Sequence, residues 1–539
     1  MWQQTYDPVG GSLGFSALVA AIPVFVLLIA LGAMRVAAWK ASLLGLGAAI
    51  LVALFVYRMP VRLLVHSVAY GAAFGLFPIG WIIFWAIVLY RVSVETGQFD
   101  VIKNSVGSLT NDKRLQALLI AFAFGAFIEG ASGFGTPVAV ASAMLAGLGF
   151  RPFYAAGICL LANTAPVAFG AIGIPLVTLA GITGLPLKEL SADVGRICAP
   201  VSLFIPAYLI AVMGGWKALK GVLPGAVVCG VAFAGMQFTV SNFFSVYVTD
   251  ILSSITAILA LVALLQFWKP RDSMEDDGSP VAETRQHTAG EILYAWAPYA
   301  LLVVFVSLWG FDAVKFWLNK ATFNLNWAGL HNLILRMPPA VAKPAPYAAV
   351  FKLDILAAAG SSCMFSAIAA ALFLRLPLGK FVRVVAATAR QLAFAMVTLA
   401  AVLALAYLMN YCGATATLGL AFAATGVVFP FFSALLGWMG VFLTGSDTSA
   451  NALFGNLQVV TANSLHLKPV LMAASNSAGG VMGKMISLQS IAVAAAATGM
   501  PSQDEAKLFR FTLRHSIFLA TVIGLVVLFY SYVMPGWAW

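Results

Sequence analysis

The chain has 539 residues, of which 62% are hydrophobic and only 9% are charged. A soluble domain carries about 25% charged residues, so this composition excludes an ordinary soluble protein. The formal net charge is +11, but no Lys/Arg cluster is dense enough to follow a nucleic-acid backbone. The composition therefore predicts a protein of the lipid bilayer that has no nucleic-acid partner.

Apolar stretches of about 20 residues recur along the whole chain, which is the pattern of transmembrane helices. In chain order they are 15–34, 41–57, 68–90, 115–150, 152–184, 197–215, 221–239, 251–267, 292–310, 355–374, 391–409, 418–436, 441–498 and 516–534. Three of them, 115–150, 152–184 and 441–498, are too long for one crossing and must contain hairpins or broken helices. The pattern predicts an all-α polytopic membrane protein with about 12–14 transmembrane helices.

The chain divides into two similar halves, 1–267 and 292–539, on either side of the polar loop 268–291. In the first half, 115–184 reads "FIEGASGFGTP", "FRPFYAAG" and "ANTAPVAFG". In the second half, 441–498 reads "FLTGSDTSAN", "LKPVLMAA" and "SNSAGGVMG" in the same order. Chance similarity between Ala/Gly-rich segments is the alternative to a true repeat. Paired hydrophobic segments interrupted by Gly and Pro indicate the binding site of a transporter.

Charged side chains inside hydrocarbon are costly and usually functional. Of the 19 acids only Glu129 and Asp447 lie well inside long apolar stretches, and of the 30 bases only Lys484 does. Asp250 and Asp354 lie at the edges of such stretches. Because all three interior charges fall within the repeated motifs, these motifs are the predicted site.

Glu129 and Asp447 are the candidate proton-coupling residues. A carboxyl group that is removed from water favours its neutral form and can carry a proton at neutral pH. The alternative is a structural role, in which each acid caps backbone amides or pairs with Lys484. Lys484 in turn is either the counter-ion of an anionic substrate or a structural partner of one of these acids.

Small polar residues beside helix breakers form the candidate substrate site. Asn163-Thr164 precede Ala-Pro and Asn476-Ser477 precede Ala-Gly-Gly, and such sequences unwind a membrane helix. The freed N-termini favour a substrate carboxylate, whereas hydrogen bonding between helices is the alternative role. The predicted substrate-binding residues are Ser132, Gly133, Gly135, Thr136, Asn163, Thr164, Thr444, Gly445, Ser446, Thr448, Ser449, Asn451, Asn476, Ser477 and Lys484.

The sequence does not match the motifs of soluble enzymes that it partly resembles. The stretch "GASGFG" lacks the last glycine of G-x-S-x-G, there is no P-loop, and the five cysteines show no C-x-x-C spacing. No cofactor or metal site is predicted. The alternatives that stay open are a sodium-coupled carboxylate transporter, a passive anion channel and an intramembrane enzyme.

Several long motifs resemble those of the L-lactate permease family, which includes the glycolate permeases. They are "GLFPIGWIIFWAIVLYRVSVETGQFDVIK", "LQALLIAFAFGAFIEGASGFGTPVAV", "PYAAVFKLD", "GWMGVFLTGSDTSANALFGNLQ" and "GGVMGKMISLQSIAVA", and the resemblance extends over essentially the whole chain. It implies a multi-pass protein of the bacterial inner membrane that is not an enzyme. Its implied function is the uptake of L-lactate, D-lactate or glycolate together with a proton.

The resemblance also implies a fold and a movement. Related ion-coupled anion transporters have two inverted repeats, each with a re-entrant hairpin and a broken helix, and they work by an elevator motion, often as homodimers. By this resemblance, 129–136 and 445–451 are expected at the hairpins, and Asn163 and Asn476 at the helix breaks.

Overall fold

The computed structural model describes residues 1–133, 135–272 and 287–539, and helices dominate it. Helices are expected for so apolar a chain, because a helix in a bilayer satisfies its own backbone hydrogen bonds. Large apolar side chains such as Phe204, Phe243 and Leu293 point outward and are more than two-thirds exposed, which suits contact with lipid. The chain is therefore an all-α polytopic membrane protein, as predicted.

The first half contains helices α1 to α12 among the described residues. They are α1 (Leu13–Gly32), α2 (Ala38–Leu51), α3 (Val61–Phe74), α4 (Trp81–Glu95), α5 (Gln98–Gly107), α6 (Lys113–Gln116), α7 (Gly125–Ala131), α8 (Thr136–Gly147), α9 (Pro152–Ala162), α10 (Gly170–Thr183), α11 (Leu187–Phe243) and α12 (Thr249–Phe267). Wider π-helical turns at Val52–Val56, Gly75–Gly80 and Ala117–Phe124 continue α2, α3 and α6, and 3₁₀ turns lie at Val167–Phe169 and Val246–Val248.

The second half contains helices α13 to α22 in the part of the chain that the structure describes. They are α13 (Ala289–Gly310), α14 (Asp312–Leu318), α15 (Ala359–Phe373), α16 (Leu378–Cys412), α17 (Ala414–Phe422), α18 (Phe429–Thr444), α19 (Asp447–Ser464), α20 (Pro469–Gly483), α21 (Leu488–Thr498) and α22 (Glu505–Tyr532). Short 3₁₀ turns lie at Asn319–Ala321, Ala423–Val428, Lys484–Ile486 and Ser502–Asp504.

Within the described ranges, ten helical segments are long and apolar enough to cross a membrane, and two bent helix pairs raise the number to 12. One of the ten, α11, is 57 residues long and has non-helical backbone at Gly214 and Gly215. This kink lies at the end of the crossing predicted at 197–215, before the crossing predicted at 221–239. Most of the predicted polar loop, 273–286, lies outside the described residues.

The connector between α14 and α15 forms two small sheets. Strands β2 (Phe323–Asn326) and β5 (Val350–Leu353) pair antiparallel. Strand β3 (Ile334–Arg336) pairs parallel with β1 (Trp2–Gln3) and antiparallel with β4 (Ala345–Pro346). The N-terminal residues are thereby tied to a segment in the second half of the chain.

This connector packs on the membrane helices. Trp327 lies edge-on to Tyr70 of α3 with ring centroids 5.4 Å apart, and Leu330 is completely buried. The side chain of Gln4, which follows β1, donates hydrogen bonds of 2.9 and 2.8 Å to the carbonyls of Asn410 and Tyr411 at the end of α16. These bonds satisfy backbone oxygens that the helix terminus leaves open.

All three of the long apolar stretches contain turns or breaks, as predicted. The chain turns between α7 and α8 at Gly133 and Gly135, whose φ values are +58° and +81°, and between α18 and α19 at Gly445, whose φ is +71°. Glycine adopts this left-handed backbone at little cost. Helices α9 and α10 bend by 65° and α20 and α21 by 43°.

The prediction that the helix opens at Asn476 is wrong. Asn476 lies inside α20, and the bend comes later, at Lys484–Ile486. The nearby glycines allow close packing instead: an added Cβ on Gly479 would lie 2.0 Å from a backbone oxygen of α18, and one on Gly437 would lie 1.8 Å from the Asn476 carbonyl oxygen. Small residues let membrane helices approach closely, so this Ala-Gly-Gly sequence marks helix packing rather than unwinding.

Candidate functional site

A cavity of about 290 Å³ lies where the glycine turns of the two halves meet. The predicted residues in its wall are Glu129, Gly133, Gly135, Thr444, Gly445, Ser446, Asp447, Thr448, Ser449 and Lys484. Sequence segments some 300 residues apart thus share one chamber, together with both candidate acids and the buried lysine. The volume is close to the lower end of about 300–1,000 Å³ that is usual for small-molecule sites.

Asp447 is positioned through one of its two carboxylate oxygens. Asp447 Oδ2 accepts a hydrogen bond of 2.5 Å from Ser477 Oγ and one of 3.3 Å from Asn451 Nδ2. Asp447 Oδ1 has no hydrogen-bond partner among the described residues. Because Asp447 is also the first residue of α19, the partial positive charge of the helix N-terminus favours its carboxylate form.

Asn476 supports this arrangement from outside the cavity. Its Nδ2 donates to Asn451 Oδ1 at 2.9 Å, and its Oδ1 accepts from Gln458 Nε2 at 3.0 Å. Asn451 in turn donates to the Pro175 carbonyl of α10 at 3.1 Å. The network therefore joins the second-half acid to the broken helix of the first half.

Lys484 lies between the two acids. It is 9% exposed, and its Nζ donates to the Gly445 carbonyl oxygen at 2.7 Å. Lys484 also interacts electrostatically with both Glu129 and Asp447. The ammonium group thus holds the second glycine turn in place and puts a positive charge at the cavity wall.

Glu129 lies in α7 and is 4% exposed. Its Oε1 lies against Gly170, where an added Cβ would be only 2.6 Å away, and its Oε2 has no hydrogen-bond partner in the described part of the chain. Asn163, at the end of α9, lies beside this carboxyl group. The Asn163 amide interacts with this carboxyl group, but neither of its polar atoms has a partner at full hydrogen-bond geometry among the described residues.

Seven predicted residues do not reach the cavity wall. They are Ser132, Thr136, Asn163, Thr164, Asn451, Asn476 and Ser477. The hydroxyl groups of Ser132 and Thr164 donate to carbonyls one turn earlier in the chain, at 3.0 and 2.7 Å. These two hydroxyl groups bond locally within their own segments of the chain, and not to a neighbouring helix.

Two aromatic residues that the sequence did not single out also line the cavity. Trp39 comes from α2 and Phe394 from α16, and their rings stack with centroids 5.3 Å apart. Apolar residues in membrane helices look alike in sequence whether they face lipid or a cavity, so no motif marks this pair. Gln489, another wall residue, could have been found as a polar side chain within the second core motif.

Comparison with known proteins identifies the family. The sequence profile of the L-lactate permease family matches residues 16–534. This chain belongs to the L-lactate permease family.

Several relatives in this family are more than 40% identical to the chain over nearly its full length. The L-lactate permease of Bacillus subtilis (strain 168) is 45% identical, with 97% of each chain covered. Glycolate permease GlcA of Escherichia coli (strain K12) is 43% identical and the L-lactate permease of the same strain 42%, each with 99% of both chains covered. A member of a permease family is a transporter and not an enzyme.

Proposed function

We propose that the chain is a secondary active transporter that takes up small 2-hydroxymonocarboxylates together with protons across the bacterial inner membrane. L-Lactate, D-lactate and glycolate are the proposed substrates, because the relatives at 42–45% identity are named lactate and glycolate permeases. The observation that carries the proposal is the meeting of Glu129, Asp447 and Lys484 at one small cavity.

The cavity wall contains groups suited to both the carboxylate and the 2-hydroxyl group of such a substrate. Lys484 supplies a positive charge for the carboxylate, and the N-terminus of α19 adds to it. Thr448 and Ser449 lie in the wall and offer hydroxyl groups for the substrate's 2-hydroxyl group. Lactate and glycolate differ by one methyl group, which is worth about 1–3 kcal/mol in a pocket, so both substrates fit the proposal.

Glu129 and Asp447 are the proposed proton carriers. Each has one carboxylate oxygen without a hydrogen-bond partner among the described residues, so each has a place for a proton. Moving one proton with one monocarboxylate is electroneutral. It therefore avoids about 2.3 kcal/mol of work per 100 mV against an inside-negative potential.

The proposed movement is an elevator motion of two inverted repeats, in a protein that assembles as a homodimer. It is supported by the order of elements, since each half has a helix pair joined by a glycine turn and then a bent helix that starts at Pro152 or Pro469. In this view the two glycine turns and the cavity between them move as one body. The halves 1–267 and 292–539 are the proposed repeats.

The test is uptake of labelled L-lactate and glycolate into proteoliposomes with an inward proton gradient and no sodium. Accumulation that collapses with a protonophore supports proton coupling. Accumulation only with sodium would favour the sodium-coupled alternative, and flux without accumulation would favour a passive channel. The Glu129→Gln variant should lose proton-driven accumulation and keep some exchange, whereas Glu95→Gln, at the exposed end of α4, should behave as wild type.

A further inference from the structure

Further buried polar atoms without partners among the described residues lie outside the cavity wall, on α11 and at the start of α12. Asp250 is 1% exposed, and neither of its carboxylate oxygens has a hydrogen-bond partner among the described residues. Gln237 of α11 is fully buried and leaves its Oε1 unpaired, while its Nε2 donates to the Ala165 carbonyl at 3.1 Å. Buried polar groups nearly always have partners, so this set needs an explanation.

Asp250 lies directly against the helix that carries Glu129. A Cβ added to Gly130 would lie 2.8 Å from Asp250 Cβ, so α7 and α12 touch at this point. Glu129 and Asp250 interact electrostatically, and the Asn163 amide interacts with Glu129, although neither of its polar atoms has a partner at full hydrogen-bond geometry among the described residues. Two acids and an amide on α7, α12 and the end of α9 therefore form one cluster, which we call the acid pair site.

Among the described residues, the acid pair site contains no cationic side chain of its own. Helix α12 packs against α7, α10, α11 and the turns Ala117–Phe124 and Val246–Val248. The titratable groups that act on Asp250 are Glu129 and Cys198. Lys484 acts on Glu129, but it also acts on Asp447, so its single positive charge balances only one of these acids. Two neighbouring buried carboxyl groups cannot both be ionised without a cation to balance them.

The corresponding place in the second half has fewer unpaired polar atoms among the described residues, with Asp447 Oδ1 left unpaired there. There Asn476 makes hydrogen bonds through both of its amide atoms, and Asp447 accepts two bonds at Oδ2. In the first half, Asn163 corresponds to Asn476 in the repeated motif. Neither of its amide atoms has a partner at full hydrogen-bond geometry among the described residues, although the amide interacts with Glu129. The difference is local to the acid pair site.

We propose that Asp250 and Glu129 together hold one monovalent cation, either a proton carried by one of the two carboxyl groups or a sodium ion that also takes the Asn163 oxygen. Glu129 lines the substrate cavity and Asp250 does not, so Glu129 belongs to both sites and links cation binding to substrate binding. This assignment rests on the proposed function in one respect, namely that the bound cation is the one that drives transport.

The experiment compares Asp250→Asn with a matched control, Asp354→Asn, whose carboxylate pairs with the exposed Lys352 at 3.0 Å. Each protein is placed in proteoliposomes with an inward proton gradient and no sodium, or with an inward sodium gradient and no pH difference. A gradient of one pH unit can drive about tenfold accumulation of a monocarboxylate. The Asp250→Asn variant should no longer accumulate lactate but should still exchange labelled for unlabelled lactate. The Asp354→Asn variant should accumulate lactate to the wild-type level.

The arm in which the wild type accumulates substrate identifies the cation. Accumulation by Asp250→Asn at the wild-type ratio in that arm would overturn the proposal. If Asp250→Asn shows no exchange either, Asp250→Glu decides: accumulation restored by this longer carboxylate supports the cation site, and accumulation that stays absent overturns it.

A binding measurement separates this proposal from the proposed function. A cation that binds the folded protein raises its stability. The unfolding temperature of the wild type in detergent should respond to added sodium or to lower pH more strongly than that of Asp250→Asn. This difference is expected even if the wild type accumulates substrate in neither arm, which would refute the coupled transport alone. Equal responses of the two proteins would refute the acid pair site.

Discussion

Replacing Gly170 by alanine moves the Glu129 carboxyl group without changing its chemistry. The backbone of Gly170 has φ −61° and ψ 158°, which alanine adopts without strain. The added Cβ would lie 2.6 Å from Glu129 Oε1 and 3.0 Å from its Cγ. The substitution therefore changes the position of the proposed proton carrier but keeps its carboxyl group.

The size of the displacement follows from these distances. Ordinary contact begins at 3.4 Å, so the carboxyl oxygen must move by about 0.8 Å. Functional groups must be held to within about 0.5 Å, and a misplacement of about 1 Å can cost about 100-fold in rate. We expect proton-driven uptake to fall roughly 10- to 100-fold. Because the displaced atoms are the end of a flexible side chain, the loss of stability should stay below about 3 kcal/mol.

The assay is the initial rate of proton-driven uptake of labelled lactate, divided by the amount of protein in the vesicles. The unfolding temperature of each variant in detergent shows whether the fold is retained. Gly235→Ala in α11 is the control, because its added Cβ would meet nothing within 4 Å. Uptake by a folded Gly170→Ala variant within twofold of wild type would refute the idea that the position of Glu129 matters.

Three further substitutions test other contacts of the site. Ser477→Ala removes the 2.5 Å hydrogen bond to Asp447. Because a hydrogen bond to a charged group is worth about 1.5–3 kcal/mol, the KM for uptake should rise tenfold or more. The control is Ser475→Ala, whose hydroxyl group bonds elsewhere, and it should leave KM unchanged. Lys484→Met removes the cation of the cavity, so added lactate should no longer raise the unfolding temperature; a retained shift would count against an anion site there. Gly437→Ala places a Cβ 1.8 Å from a backbone oxygen of α20. Such overpacking costs about 1–3 kcal/mol of folding stability or more, so the unfolding temperature should fall by several degrees. An unchanged unfolding temperature would disprove the close contact.

The sequence was a good guide to the elements that carry the cavity. The glycine turns at Gly133 and Gly445 and the buried charges could be predicted, because an acid or a run of glycines stands out in an apolar chain. The breaks near Gly170 and Lys484 fall at the landmarks that the two halves share. These features are local, so a short stretch of sequence is enough to indicate them.

Features that depend on distant contacts could not be predicted in the same way. Asp250 lies at the edge of an apolar stretch in sequence, and only the packing of α12 on α7 buries it. The Gly479-Gly480 pair reads as a helix breaker, but the close approach of α18 turns it into a packing surface. Trp39 and Phe394 meet only because α2 and α16 are neighbours.

The pairing of β1 with β3 sets the order in which this protein can be completed during synthesis. Ile334 is made 332 residues after Trp2, its partner in the parallel pair. At about 5–20 residues per second, the first residues wait roughly 17 to 66 seconds for that partner. The hydrogen bonds of Gln4 to the end of α16 come later still, because Asn410 and Tyr411 follow in the chain. The N-terminal strand therefore cannot complete its native contacts until residues up to 411 have been made. A bulky fusion at this end would hinder that later docking step rather than the insertion of the first helices.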